Sequence, residues 1–242
     1  MLSSKNLSKH FDGVVAADRV TLEVAAGERV GLIGSNGAGK TTFVNMITGY
    51  LKPDAGAIAL DGRDITGLGP REIMHLGVAR SFQIPQLCAE MSVLDNMLVA
   101  AACGDGALSF WQPAHTAQKI AAGQKILEQF GLADQAQRRV AELPGGVRKL
   151  LDIALALTGK PKLLLLDEPT SGVSVEEKFP LMDTVMGALG SQTVLFVEHD
   201  MEIVSRYANR VVAFYSGRVL ADGPPASVLN DAEVRRHVTG EA

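Results

Sequence analysis

The sequence predicts an α/β protein with a parallel-sheet core, a small antiparallel β region near the N-terminus and an inserted α-helical subdomain. Three observations carry this reading. The continuous apolar runs RVGLIG, LLLLD and TVLFV have the composition of strands buried on both faces. The first of them leads through a glycine-rich turn into TTFVNMITGYL, where Phe43, Ile47 and Leu51 fall on one helical face. From about Pro85 to Leu157 the pattern turns helical, so helices interrupt the strand–helix alternation and then give way to it again.

Taken in order, RVTLEVA alternates polar and apolar residues, the pattern of a half-buried strand. RVGLIG is a buried parallel strand, and the residues after Lys40 form a helix. GAIALDGRDIT reads as a strand with a turn at Asp61-Gly62. KILEQFGL closes a helix, with Gly131 just past its end. GGVRKLLDIALALTGK opens another after Pro144 and keeps a wide apolar face. LLLLDEP and TVLFVEHD return to buried strands, and RVVAFYSGRVLADG closes as a hairpin. There is no internal repeat. Residues 1–242 read as one domain: 1–84 hold the antiparallel β region and the first part of the core, 85–157 the helical subdomain, and 158–242 the rest of the core with the C-terminal hairpin and tail.

Composition bounds the function. Hydrophobic residues are 47% and charged residues 21% of 242, enough to bury a sizeable core and too apolar for disorder. With 23 basic against 27 acidic residues the formal charge is −4, which gives no support to a nucleic-acid partner. Cys88 and Cys103 have neither CxxC nor Cys/His spacing, so free cytosolic thiols are expected rather than zinc or a disulfide framework. The N-terminus lacks the apolar region of a secretory signal, and no run approaches the ~18 apolar residues of a membrane span. A soluble cytoplasmic chain is expected, and work at a membrane would need other chains. Glycine, at 25 residues, clusters at turns, where some could bring backbone close to a ligand.

The strongest motif is Gly34-Ser35-Asn36-Gly37-Ala38-Gly39-Lys40-Thr41, followed by Thr42. It matches G-x-x-x-x-G-K-S/T, the P-loop, between an apolar strand and a helix. Loop N–H groups and the helix N-terminus would face nucleotide phosphates. Lys40 would pair with the β/γ-phosphates and the Thr41 hydroxyl would hold Mg²⁺. The second motif puts Asp167 and Glu168 at the C-terminal end of the strand Leu163–Leu166, the end where open α/β sheets bind ligands. Asp167 suits Mg²⁺ coordination through water, and Glu168 suits a general base acting on the attacking water. LLLLDE alone is weak; beside a P-loop it is specific.

With these residues in place, the chain resembles an ABC ATPase over nearly its whole length. Ser81-Phe82-Gln83 resembles the family's Q-loop, and Ser171-Gly172-Val173-Ser174 stands at the D-loop position. Glu198-His199-Asp200 follows a strand as the family's switch histidine does, and Phe11 stands where the family places an aromatic. The resemblance implies a RecA-like P-loop core that binds ATP with Mg²⁺. It implies that Gln83 contacts the metal, senses the γ-phosphate and couples to the membrane partner, that His199 contacts the γ-phosphate and helps hold the water, and that Phe11 stacks on adenine. As an isolated residue, His199 reads more readily as a satisfied histidine at a strand end, and the alternative for Phe11 is core packing.

More narrowly, RSFQIPQLCAEMSVLDNMLVA, VEHDMEIVSRYANRVVAFYSGRVLADGPP and VRRHVTGEA resemble the ATP-binding subunits of branched-chain amino-acid importers. That implies ATP hydrolysis powering uptake of such amino acids, or of a related amide, urea or carboxylate. The partners implied are two transmembrane permease subunits, a second ATPase subunit or a second copy of this chain in a head-to-tail dimer, and, indirectly, a periplasmic solute-binding protein. The place implied is the cytoplasmic face of the inner membrane. An export or lipid-handling ATPase of the same fold is the alternative. A soluble cassette ATPase acting on DNA or ribosomes fits less well, because the chain is acidic and has no zinc motif or tandem cassette.

One segment departs from the family. The signature LSGGQ is here Leu143-Pro144-Gly145-Gly146-Val147. The family's signature serine reaches the γ-phosphate across the dimer; Pro144 has neither hydroxyl nor N–H. The N–H groups of Gly145 and Gly146 and the helix dipole remain. Losing one hydrogen bond to a charged group costs roughly 1.5–3 kcal/mol, about 10- to 150-fold in rate. A heterodimer would then have two unequal sites. Ser174, where the D-loop often has aspartate, is a smaller departure. The apolar segment Ile84–Cys103 reads either as the surface that receives a permease helix or as ordinary packing. Arg148-Lys149 and Arg235-Arg236-His237 read as solvated basic faces, and Trp111 as packing. His10, His75 and His115 are given no role.

Overall fold

The computed structural model describes residues 1–104 and 116–240; Trp111 and His115 lie outside the described residues. Along the chain the elements are β1 (Leu2–Phe11), β2 (Val14–Val24), β3 (Arg29–Gly34), α1 (Lys40–Ile47), β4 (Ala55–Leu60), β5 (Arg63–Asp64), α2 (Pro70–His75), β6 (Val78–Ser81), α3 (Val93–Gly104), α4 (Ala117–Gln129), α5 (Gly145–Ala156), β7 (Leu163–Asp167), α6 (Val175–Leu189), β8 (Thr193–Val197), α7 (Met201–Tyr207), β9 (Arg210–Tyr215) and β10 (Arg218–Gly223). They form two compact units, Met1–Leu76 with Ser191–Ala242, and Gly77–Gly190.

In the first unit an antiparallel sheet runs β2-β1-β4-β5. The tip between β4 and β5 is Asp61-Gly62, both at positive φ (50° and 79°), the backbone hand that a two-residue hairpin needs. Alternation buries Val20, Leu22 and Val24 on one face, with Ile58 and Leu60 from β4. Ser4 is buried among them because its hydroxyl both donates to Leu22 O (3.2 Å) and accepts from Leu22 N–H (3.0 Å). The parallel strands follow the apolar runs: β3 lies between β8 and β9, and β10 returns antiparallel along β9. Phe43 of α1 packs on Phe214 of β9 with ring centroids 5.6 Å apart. Phe43 and Ile47 are buried as the helical face requires, but Leu51 is not part of it. The helix caps at Thr48, whose hydroxyl bonds back to Val44 O (2.7 Å), and Gly49 turns the chain away.

In the second unit β6 and β7 pair in parallel, and Leu163–Leu166 are buried throughout. Helix α4 ends before Gly131, which takes φ 66°. Helix α5 starts at Gly145, so Pro144 stands at the cap and not inside the first turn. Helix α6 runs through Pro180 in its second turn, where the ring removes the one intrahelical N–H bond that would reach Glu176 O. No helix among the described residues is long and apolar enough to cross a membrane.

Candidate active site

In the first unit the P-loop links β3 to α1. Gly39 stands at φ 104°, and a Cβ there would lie 2.6 Å from Ala16 O, so both the turn and the close approach of two backbones need glycine. Lys40 is buried, its ammonium donating to Gly34 O (2.6 Å) and Ser35 O (3.1 Å). The loop is thus folded around its own cation. Asn36, Gly37 and Thr41 are exposed, Ser35 and Thr42 half-buried, and Ala38 packed inside. The first turn of α1 carries no acidic residue, and its leading N–H groups have no acceptor within the helix. Cation, helix end and curled backbone together make an anion cradle.

Phe11 ends β1 opposite Val14 and is 43% exposed, with the Lys9 ammonium 5.6 Å from its ring centroid. It is a presented aromatic face, not core packing. His199 is exposed in the turn between β8 and α7, and its N–H donates to the buried Glu198 carboxylate (3.1 Å). Asp200 is the cap of α7, accepting from Glu202 and Ile203 N–H.

In the second unit the carboxylates at the end of β7 are held from β6 and the segment after it. Asp167 pairs with Arg80 at 2.5 Å, their side chains only 14% and 9% exposed. The Arg80 guanidinium also lies 5.0 Å from the Phe82 ring centroid. Glu168 sits at φ 47°, a left-handed conformation that costs a non-glycine residue about 1 kcal/mol or more and turns its carboxylate off the strand. That carboxylate accepts from Gln83 Nε2 at 2.7 Å. The fold therefore brings Gln83 and Glu168 together across 85 residues of sequence.

The signature segment is open at the start of α5: Leu143 is buried, Pro144 and Gly145 are exposed and Gly146 is half-buried. Lys149 corrects the sequence reading. Its ammonium is buried and donates to Phe82 O (3.1 Å) and Gln83 O (2.8 Å), because one helical turn past the signature points inward, toward the Gln83 segment. Arg148 is half-buried and donates to Ala141 O (2.7 Å), which ties it to the chain before the signature. Nor is the C-terminal cluster wholly solvated: Arg235 donates to Asn230 Oδ1 (2.7 Å), and the His237 ring lies 4.3 Å from that of Tyr215. Asp152 accepts from the Ser81 hydroxyl (2.6 Å) and Gln86 N–H (3.3 Å). Burial pushes its carboxyl above the usual carboxylate range, and those two donors pull it part of the way back. Arg80, Lys149 and Asp152 are absent from the sequence-based site. The signal available for the first was its place two residues before Phe82, on a strand that ends beside a carboxylate strand.

The ABC transporter family model matches residues 17–171. The chain belongs to the ABC transporter family. It is 37% identical to the probable branched-chain amino acid transport ATP-binding protein LivG of Archaeoglobus fulgidus, over 97% of this chain and 93% of that protein. Identity to the high-affinity branched-chain amino acid transport ATP-binding protein LivG of Escherichia coli is also 37%, over 100% of this chain and 98% of that protein. A solved ATP-binding cassette of an ABC transporter in its ADP conformation superposes with a TM-score of 0.88 at 33% identity, covering 98% of this chain and 97% of that one. As a member of the family this ABC protein is an ATPase that drives transport, and its α/β fold with a P-loop core is that of the family's cassettes.

Proposed function

We propose that this ABC ATPase powers import of branched-chain amino acids, or of a related small amide, urea or carboxylate, through two transmembrane permease subunits at the cytoplasmic face of the inner membrane. The observation that carries the reading is identity of 37% spread over the whole chain to proteins named for branched-chain amino acid transport. A periplasmic solute-binding protein would deliver the substrate to the permeases.

The residue roles follow from charge and position. Phe11 offers a flat face for adenine. The N–H groups from Gly34 to Thr42 and the Lys40 ammonium hold the phosphates, Lys40 exchanging loop carbonyls for phosphate oxygens. The residues that would hold Mg²⁺ are the Thr41 hydroxyl, the Gln83 amide and the Asp167 carboxylate, each a hard oxygen ligand. When bound, Mg²⁺ neutralises charge that builds on the transferring phosphoryl group. Glu168 accepts a proton from the attacking water, and His199 helps to hold that water against the γ-phosphate.

The working form is a head-to-tail dimer with a second ATPase subunit or with a second copy of this chain. Residues 85–157 act as the helical subdomain, presenting Leu143, Pro144, Gly145 and Gly146 to the ATP of the partner. Exposed Ile84, Met91 and Val99 provide apolar surface for the permeases. In a dimer with a second ATPase subunit, Pro144 makes the ATP site it faces the slower one.

The test is purification from native membranes in mild detergent with this chain as bait, followed by labelled leucine uptake in vesicles rebuilt from what is recovered. Two permeases, a second cassette and ATP-dependent uptake are expected. Recovery of the chain alone, or with export or nucleic-acid machinery, would defeat the import reading. In the same complex Pro144→Ser should raise hydrolysis, and an unchanged or lower rate would mean that Pro144 limits neither site.

A further inference from the structure

Two side chains of α5 grip the backbone on either side of Gln83. Lys149 donates to the carbonyls of Phe82 and Gln83, and Asp152 accepts from the Ser81 hydroxyl and the Gln86 N–H. Their i, i+3 spacing puts both on one helical face. Lys149 is 3% exposed and Asp152 7%, so this ammonium and this carboxylate are withdrawn from water and satisfied by the Gln83 segment. Gln83 itself points out of the grip, its amide donating to the Glu168 carboxylate at 2.7 Å.

The contacts form an unbroken series. It begins at Gly145-Gly146, the first turn of α5, and passes one turn on to Lys149. From there it crosses to the Gln83 carbonyl, then through the Gln83 side chain to Glu168. Glu168 is in the left-handed conformation, which any loss of support would leave free to relax.

We infer that Lys149 and Asp152 are positioning residues for Glu168, fixing the Gln83 backbone so that the Gln83 amide sets the carboxylate, and tying that setting to the helix that carries the signature. The inference rests on the proposed reading of Glu168 as the general base. A misplacement of about 1 Å at a reacting group can cost on the order of 100-fold, so a modest drift of Gln83 is enough to matter.

The experiment is a double-mutant cycle on the full chain under single-turnover conditions with Mg²⁺ and ATP. Lys149→Met keeps the apolar stem and removes the donor. It should lower the hydrolysis rate about tenfold or more while nucleotide affinity stays within about twofold, because the P-loop is untouched. Lys149→Arg should restore most of the rate. In a Gln83→Ala background Lys149→Met should add less than about a twofold loss, since its route to Glu168 is already cut. Asp152→Asn carries the same cycle should Lys149→Met fail to fold. Losses that multiply in the double variant, or affinity that falls together with rate, would overturn the inference. Glu168→Gln is the separate arm: hydrolysis at the wild-type rate there would remove the general-base reading, whereas an inactive Glu168→Gln beside multiplying losses would remove only the positioning role of Lys149.

Discussion

The P-loop and the Gln83 segment both hold charge in place, and they do it by opposite means. The P-loop is one contiguous stretch in which backbone does most of the holding. Its one cation, Lys40, is supported by the carbonyls of Gly34 and Ser35, a few residues away. The Gln83 segment has little hold of its own. Arg80, Lys149, Asp152 and Glu168 come from β6, α5 and the end of β7, and each is held by a partner distant in sequence. A backbone cradle survives the loss of one side chain structurally and fails only in function. A side-chain network loses structure as soon as one member leaves a buried partner without its counter-charge.

The largest expected effect separates these cases. Lys40→Ala should lower ATP hydrolysis on the order of 1000-fold, the scale of losing a charge that stabilises a transferring group. It should cost stability about 1–2 kcal/mol, because the hydrogen bonds lost are to two uncharged loop carbonyls, one buried and one part-buried. Hydrolysis assays beside chemical denaturation read both numbers. A collapse in stability would break the contrast and make the loop as dependent on side chains as the other region.

Arg80→Met is the converse. Asp167 would keep its charge and lose its guanidinium in a setting only 14% exposed, so a stability loss of about 3 kcal/mol is expected in a denaturant titration. Adding Asp167→Asn should return most of it, since the uncompensated charge is then gone. A loss below about 0.5 kcal/mol in the single variant would place the pair among surface ion pairs that contribute little.

The same contrast explains what could be read in the sequence. The P-loop, the buried runs at β3, β7 and β8, the Asp61-Gly62 turn and the stop at Gly131 are all local, so spacing and composition reach them. The network is not local. Lys149 beside Arg148 looks like a solvated basic pair, and only the carbonyls of Phe82 and Gln83, brought in by the fold, make a buried lysine reasonable. Asp152 interrupts the apolar face of α5 for the same reason. Helix α6 hides behind Pro180, which a pattern reading takes as a break although the helix continues through it to Leu189. Leu51 continues the spacing of Phe43 and Ile47, but the Thr48 hydroxyl and Gly49 end the helix first, an outcome that periodicity does not register.

The smallest expected effect is a pH dependence with opposite sign in the two units. Burial holds the Asp152 carboxyl above the usual range, so the folded chain keeps that proton more readily than the unfolded chain. Its contribution favours folding at low pH and is lost as pH rises through the raised value. Asp54, in the first unit, is the reverse: the Lys9 ammonium and the His10 N–H hold its carboxyl below the usual range. Its contribution is present above the ordinary value and is lost as pH falls through the lowered one. Melting temperatures of Asp152→Asn and Asp54→Asn against wild type, from neutral pH downward, should therefore diverge. The wild type should gain on Asp152→Asn as the solution is acidified and lose its advantage over Asp54→Asn. The same sign for both would mean that the donors around Asp152, the Ser81 hydroxyl, the Gln86 N–H and the Lys149 ammonium, outweigh the cost of burying it.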